Sequence, residues 1–141
     1  EDALWSLDKK EGIEKAYCCF NSNARDFARF GQLLLNNGQW DDRQLISPAY
    51  LAEATSPDTR LVYKDLGKPN HCYGFQYWIL DYKGMKIPYM RGILGQYVFT
   101  LPEKNAVIVR LGHKRSDTYT ADQHYPDDIN TWLDAAMDLL Q

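Results

Sequence analysis

Ala24, Phe27, Phe30, Leu34 and Leu35 recur at three- and four-residue spacing between Asn23 and Asn37-Gly38. That period predicts a helix with one apolar face, with Asn23 as its N-cap and Asp26 in its first turn. Ser47-Pro48 predicts a second, shorter helix, proline standing at the first helical position, which ends before Ser56-Pro57. Ile129, Trp132, Leu133, Ala136, Met137 and Leu140 then mark a third, capped near Asp127, with one broad apolar stripe.

Between the second and third helices the pattern changes. Tyr73 to Leu80 is aromatic and β-branched with polar character only at Gln76, and Lys83-Gly84 reads as a turn toward Ile87. Further strands are expected near 87–92, 96–101 and 106–112, the last two joined by Pro102-Glu103-Lys104-Asn105. Ala106 to Val109 is apolar at every position and should be covered on both faces. Residues 1–16 carry no period and read as loop, as do residues 57–72, whose length suits a segment that covers a site. The fold class is therefore α+β: an antiparallel sheet covered by a C-terminal helix, with helices preceding it.

Composition narrows the function. The 141 residues are 45% hydrophobic and 25% charged, ordinary for one packed domain. A net charge of −3 and scattered basic residues argue against nucleic acid as a partner. No apolar run is long enough for a transmembrane segment. Glu1 opens a charged run without strand or cap signal, which reads as a cut chain. Cys18, Cys19 and Cys72 form no C-x-x-C, and adjacent cysteines rarely pair, so they read as partly buried thiols; His71 beside Cys72 lacks zinc-ligand spacing. No metal site and no cofactor is indicated.

Self-contained catalytic motifs are missing: there is no G-x-S-x-G elbow, Walker loop, H-E-x-x-H or dinucleotide fingerprint. Ser6-Leu7-Asp8-Lys9 matches S-x-x-K, but it lies in a charged, glycine-terminated stretch that suits a solvated loop. His113 and His124 share no metal spacing with His71. Asp41-Asp42 and Asp127-Asp128 fit turn and cap positions, and Tyr77 and Trp78 read as core.

The order of the pieces carries more. "NSNARDFARFGQLLLNNGQWDDRQLISPAYLAEATSP", "YGFQYWIL" and "RGILGQYVFTLPEKNAVIVRLG" together resemble the C-terminal part of the serine β-lactamase and penicillin-binding-protein superfamily. Within it, the branch of class C β-lactamases, family VIII esterases and 6-aminohexanoate-dimer hydrolases is the nearest. The resemblance runs over residues 1–141. It implies a C-terminal segment of a serine hydrolase domain whose nucleophile, lysine and tyrosine motifs stand upstream, so its first partner would be the N-terminal part of the same chain. The substrate implied is a small-molecule ester or amide, cleaved through an acyl-enzyme, and the compartment implied is periplasmic or extracellular.

Registered on "GQYVFTLPEKN", the family's third motif (Lys-Thr-Gly or His-x-Gly) falls on Met90-Arg91-Gly92. The resemblance then implies that Gly92 lets substrate approach the backbone and that the Ile93 amide is half of an oxyanion hole. Met90, Arg91 and Leu94 would line the substrate. Met90 replaces the family's Lys or His, which removes the cation that helps hold a β-lactam carboxylate; Arg91, one residue on, should face the other side of the sheet. Position alone equally allows Gly92 and Gly95 to be bulge glycines. The alternative function is a non-catalytic binding or sensor domain that keeps this fold.

Overall fold

The computed structural model describes residues 3–63, 67–121 and 124–140. The chain opens with a two-stranded ribbon, β1 (Leu4–Trp5) against β2 (Phe20–Asn21), extended by a Leu7–Glu14 bridge. The expected loop over 1–16 is thus corrected within the described residues. An aromatic contact that shows no period holds the ribbon: Trp5 packs on Phe20, and Phe20 on Phe27 and Phe30. Ser6 lies within this ribbon, its N–H bonded to the Cys19 carbonyl, so Ser6 and Lys9 do not share a helix.

Helix α1 (Ala24–Leu35) begins where the sequence predicts, the Asn23 side chain accepting from the Arg25 and Asp26 N–H groups. A two-stranded hairpin, β3 (Gln39–Trp40) and β4 (Arg43–Gln44), follows; Asp41 and Asp42 form its turn with φ of 45° and 60°. Helix α2 (Pro48–Ala54) starts at the expected proline, but Ser47 makes no side-chain cap bond. The 57–72 segment holds a short pair, β5 (Val62–Tyr63) and β6 (Lys68–Pro69). Buried Asn70 ties it down, donating to Asp58 O and Tyr73 O and accepting from the Cys72 N–H. Lys64, Asp65 and Leu66 of that predicted loop lie outside the described residues.

The main sheet is antiparallel, in the order β10 (Ala106–Arg110), β9 (Tyr97–Leu101), β8 (Met85–Arg91), β7 (Trp78–Tyr82). The first strand starts at Trp78 and not at Tyr73, because the Gly74 N–H bonds to Tyr77 O and Gln76 sits at φ 65°, which turns the chain. Lys83-Gly84 is the predicted turn, with φ of 51° and 87°. Pro102–Lys104 forms one 3-10 turn, and Asn105 adopts φ 47° before β10.

Alternation along the strands assigns the two faces. Ile87, Tyr89, Tyr97, Phe99 and Leu101 are buried with Ile129 and Leu133 of α3 (Asp128–Leu139), and Ala106 and Ile108 pack against them. The opposite face receives α1, where a Cβ on buried Gly31 would come within 2.5 Å of Val107 Cγ1 and 3.2 Å of Val98 Cγ1. Strand β10 is therefore covered on both faces, as expected, though its outer edge keeps its residues half-exposed. Asp127 does not cap α3 with its side chain: its carboxylate accepts from Thr118 Oγ1, and its backbone is already helical at φ −65°, ψ −24°.

Cys18 and Cys19 are joined by a disulfide, which corrects the reading of both as thiols. Cys72 lies outside that disulfide and is buried. Among the described residues no helix is long and apolar enough to cross a membrane.

Candidate functional site

The residues from the predicted third motif meet at the turn between β8 and β9. Met90 is half-buried and pairs with Val98, on the α1 face. Arg91 pairs with Tyr97 on the other face, as the alternation predicts. Its guanidinium lies 3.4 Å above the Trp78 ring centroid, and Nη1 donates to His124 O at 3.0 Å.

Beyond Arg91 the chain leaves the sheet. The Gly92 N–H donates to Gln96 O at 2.8 Å, and the Leu94 N–H donates to Gln96 Oε1 at 3.0 Å. The Ile93 N–H, between them, engages no acceptor among the described residues. The Ile93 side chain is 80% exposed and that of Leu94 48%. Gly95 turns the chain into β9 at φ 83°, and a Cβ there would lie 2.1 Å from Arg110 Nη1. Gly92 has no such positive φ; a Cβ on it would strike Gln96 Oε1 at 2.5 Å. Gly95 thus answers a conformational demand as well as a steric one, and Gly92 a steric one.

Four long side chains fasten this turn to the segment after β10. Gln96 Nε2 donates to Gly112 O at 2.7 Å, and Arg115 Nε to Ile93 O at 2.8 Å. Arg110 bridges Gly95 O and Lys114 O, and Arg91 holds His124 O. Arg110 also stacks over Trp132, 4.5 Å from the ring centroid, and Arg115 over Tyr119, 5.1 Å away. Sequence reasoning missed Gln96, Arg110 and Arg115: each acts on a backbone carbonyl 15 to 22 residues away, and such contacts leave no period or motif.

Beneath the turn lies Tyr97, fully buried, its hydroxyl without a partner among the described residues. Desolvation, reinforced by the nearby Asp128 carboxylate, pushes its pKa up to about 12. It stays protonated and neutral at physiological pH. An open depression of about 660 Å³, lined by residues that include Arg110, Lys114, Arg115, Asp127 and Thr131, flanks the turn on the α3 side. Its two signs of charge give it no single ligand preference. No group of His, Cys, Asp or Glu among the described residues could hold a metal ion.

No protein-family model matches the chain, and no curated protein matches it. It is similar to a solved structure, "Putative 6-aminohexanoate-dimer hydrolase from Bacillus anthracis", at 26% identity with a TM-score of 0.69. The match covers 98% of this chain and 33% of that one. The α+β fold is that of a β-lactamase-like hydrolase. The chain spans about a third of that neighbour's length.

Proposed function

We propose that this chain is the C-terminal part of a serine hydrolase that cleaves an ester or amide through an acyl-enzyme. The observation that carries this reading is the likeness to a named hydrolase along 98% of the chain at 26% identity. The serine and its proton acceptor belong to an upstream segment, and residues 1–141 supply one wall of the site. In the reaction the serine oxygen attacks the substrate carbonyl carbon, and the carbonyl oxygen takes up the electron pair as an oxyanion. The Ile93 N–H donates to that oxygen together with the serine's own amide.

The turn geometry supports this role. Of the N–H groups of Gly92, Ile93 and Leu94, the outer two are engaged by Gln96 and the middle one is not, which leaves a donor held on a braced frame. Met90 and Leu94 border it and would contact substrate. Arg91, stacked on Trp78, would act from behind the strand by holding the His124 segment. The Cys18–Cys19 disulfide favours an oxidising compartment, such as the periplasm or the extracellular space.

The test uses the full-length protein. It should be labelled at a serine by a fluorophosphonate and should hydrolyse short p-nitrophenyl esters. Ile93→Ala keeps the amide and should retain most activity. Ile93→Pro deletes the donor and should lower kcat about a hundred- to a thousandfold, with circular dichroism unchanged. A full-length protein that binds small molecules but takes no label and turns over no ester or amide is a binding domain, and the proposal fails.

A further inference from the structure

We propose that Gln96 is a positioning residue that sets the Ile93 amide in place; this rests on the oxyanion role given to Ile93 above. Ile93 cannot be held by its own side chain, which is 80% exposed. Its amide is located by the peptides on either side, and both end on Gln96. The main-chain oxygen of Gln96 takes the Gly92 N–H at 2.8 Å, and its Oε1 takes the Leu94 N–H at 3.0 Å. The same side chain is anchored at its other terminus, Nε2 donating to Gly112 O at 2.7 Å where the chain leaves β10.

This task needs an acceptor and a donor on one planar head of this reach. Glutamate lacks the donor, leucine lacks both, and asparagine is one methylene shorter. Gly92 belongs to the same device. Its backbone requires no left-handed conformation, yet a Cβ would lie 2.5 Å from Gln96 Oε1 and 3.0 Å from Gln96 Cβ. The glycine is there to leave room for the glutamine head. Arg115 completes the frame from the far side, its Nε donating to Ile93 O at 2.8 Å. A donor of this kind acts on charge that exists only in the transition state, so displacing it should lower kcat and leave ground-state binding alone.

The experiment measures p-nitrophenyl ester hydrolysis and inhibition by an arylboronic acid on the full-length protein. The tetrahedral boronate places an oxygen where the oxyanion forms. Gln96→Leu should lower kcat about ten- to a hundredfold, the scale of an ångström-sized misplacement. KM should stay within about twofold, and the boronate Ki should rise in parallel with the fall in kcat. Gln96→Glu keeps the acceptor for Leu94 and should lose less. Gly92→Ala, which pushes the head aside, should show the same kcat-selective loss, and that loss should not add to the loss in Gln96→Leu. If Gln96→Leu does not fold, Gln96→Glu and Gly92→Ala carry the same comparison. Unchanged kcat and boronate affinity in folded, fluorophosphonate-labelled variants would overturn the proposal, as would a rise in KM alone. Wild-type protein that neither labels nor hydrolyses removes the hydrolase reading itself, and the positioning role with it.

Discussion

The Arg91 guanidinium lies over the Trp78 ring, 3.4 Å from its centroid, across two neighbouring strands. Trp78 pairs directly with Tyr89, so Arg91 is its diagonal neighbour, the separation that long side chains span in an antiparallel sheet. The stack is closed by the Arg91 bond to His124 O and by Tyr73 against the same indole, 4.7 Å between centroids.

Arg91→Lys should therefore destabilise the full-length protein by about 1–2 kcal/mol, the range for a partly desolvated cation–π contact. Lysine keeps the charge but offers neither a flat face for the indole nor a fork for the carbonyl. Urea denaturation checks this. A lysine variant as stable as wild type would show that the ring and guanidinium are merely adjacent.

The cysteine pairing is checked by counting thiols. Native protein should not react with a disulfide reagent at Cys72, which is buried, nor at Cys18 or Cys19, which are bonded. For residues 1–141, unfolding without reductant should expose one thiol, and unfolding after reduction three. Three reactive thiols in unreduced protein would disprove the bond.

What the sequence made legible follows from the range of each interaction. The α1 boundaries, the Lys83-Gly84 turn and the Pro102–Asn105 connection are set by residues within a few positions of one another, so local pattern is enough. The β1–β2 ribbon was not readable, because two-residue strands have no alternation to detect and Trp5, Phe20 and Phe27 meet only in space. The start of β7 was misread for a related reason: Tyr73 to Tyr77 has strand composition, while its turn is fixed by the Gly74 approach to Ala54 O and Ser56 O. At the site, the two glycines drew attention as residue types. The glutamine and arginines that give the turn its shape did not, since their partners are main-chain N–H and carbonyl groups.

Asp26 should make acid stability depend on one carboxylate at the start of α1. It accepts from Ser22 Oγ, from Asn23 Nδ2 at 2.8 Å and from Arg29. The Ser22 hydrogen bond, with the Arg29 charge behind it, lowers its pKa below the ordinary value. A depressed folded pKa means that the stabilisation is present above the unfolded value, about 3.9, and is lost as the pH falls through the folded one. Asp26→Asn should thus melt below wild type at pH 6, and the two melting temperatures should converge as the pH falls below the unfolded value and through the depressed folded one. A constant difference across that range would show that the carboxylate charge is not the cause.

The outer edge of β10 has no partner strand among the described residues, although α1 and α3 cover its faces. Unpaired N–H and C=O groups beside apolar side chains recruit other strands. Residues 1–141 expressed alone should therefore dimerise, aggregate or melt without cooperativity, and the longer chain proposed above should not. A monomeric segment with a sharp calorimetric transition would mean that the edge is protected by its own chain.

Met90 tests the substrate class. It is half-buried on β8, two residues before Gly92, with Val98 opposite and the Arg91 cation turned to the other face, against Trp78. No cation on β8 beside the turn is thus free to meet a substrate carboxylate: Lys86 is five residues from Arg91 and paired with Asp81. A β-lactam carries such a carboxylate, whereas a short p-nitrophenyl ester does not. The full-length protein should accordingly show a higher kcat/KM for the ester than for nitrocefin. In the proposed register Met90→Lys would place an ammonium where that charge is missing, and it should raise kcat/KM for nitrocefin while changing the ester value little. If the ion pair forms in both ground and transition states, the gain should appear mainly in KM. Nitrocefin turnover as efficient as ester turnover in the wild type, or no response to Met90→Lys in a folded and fluorophosphonate-labelled variant, would mean that Met90 does not stand where the substrate carboxylate would lie.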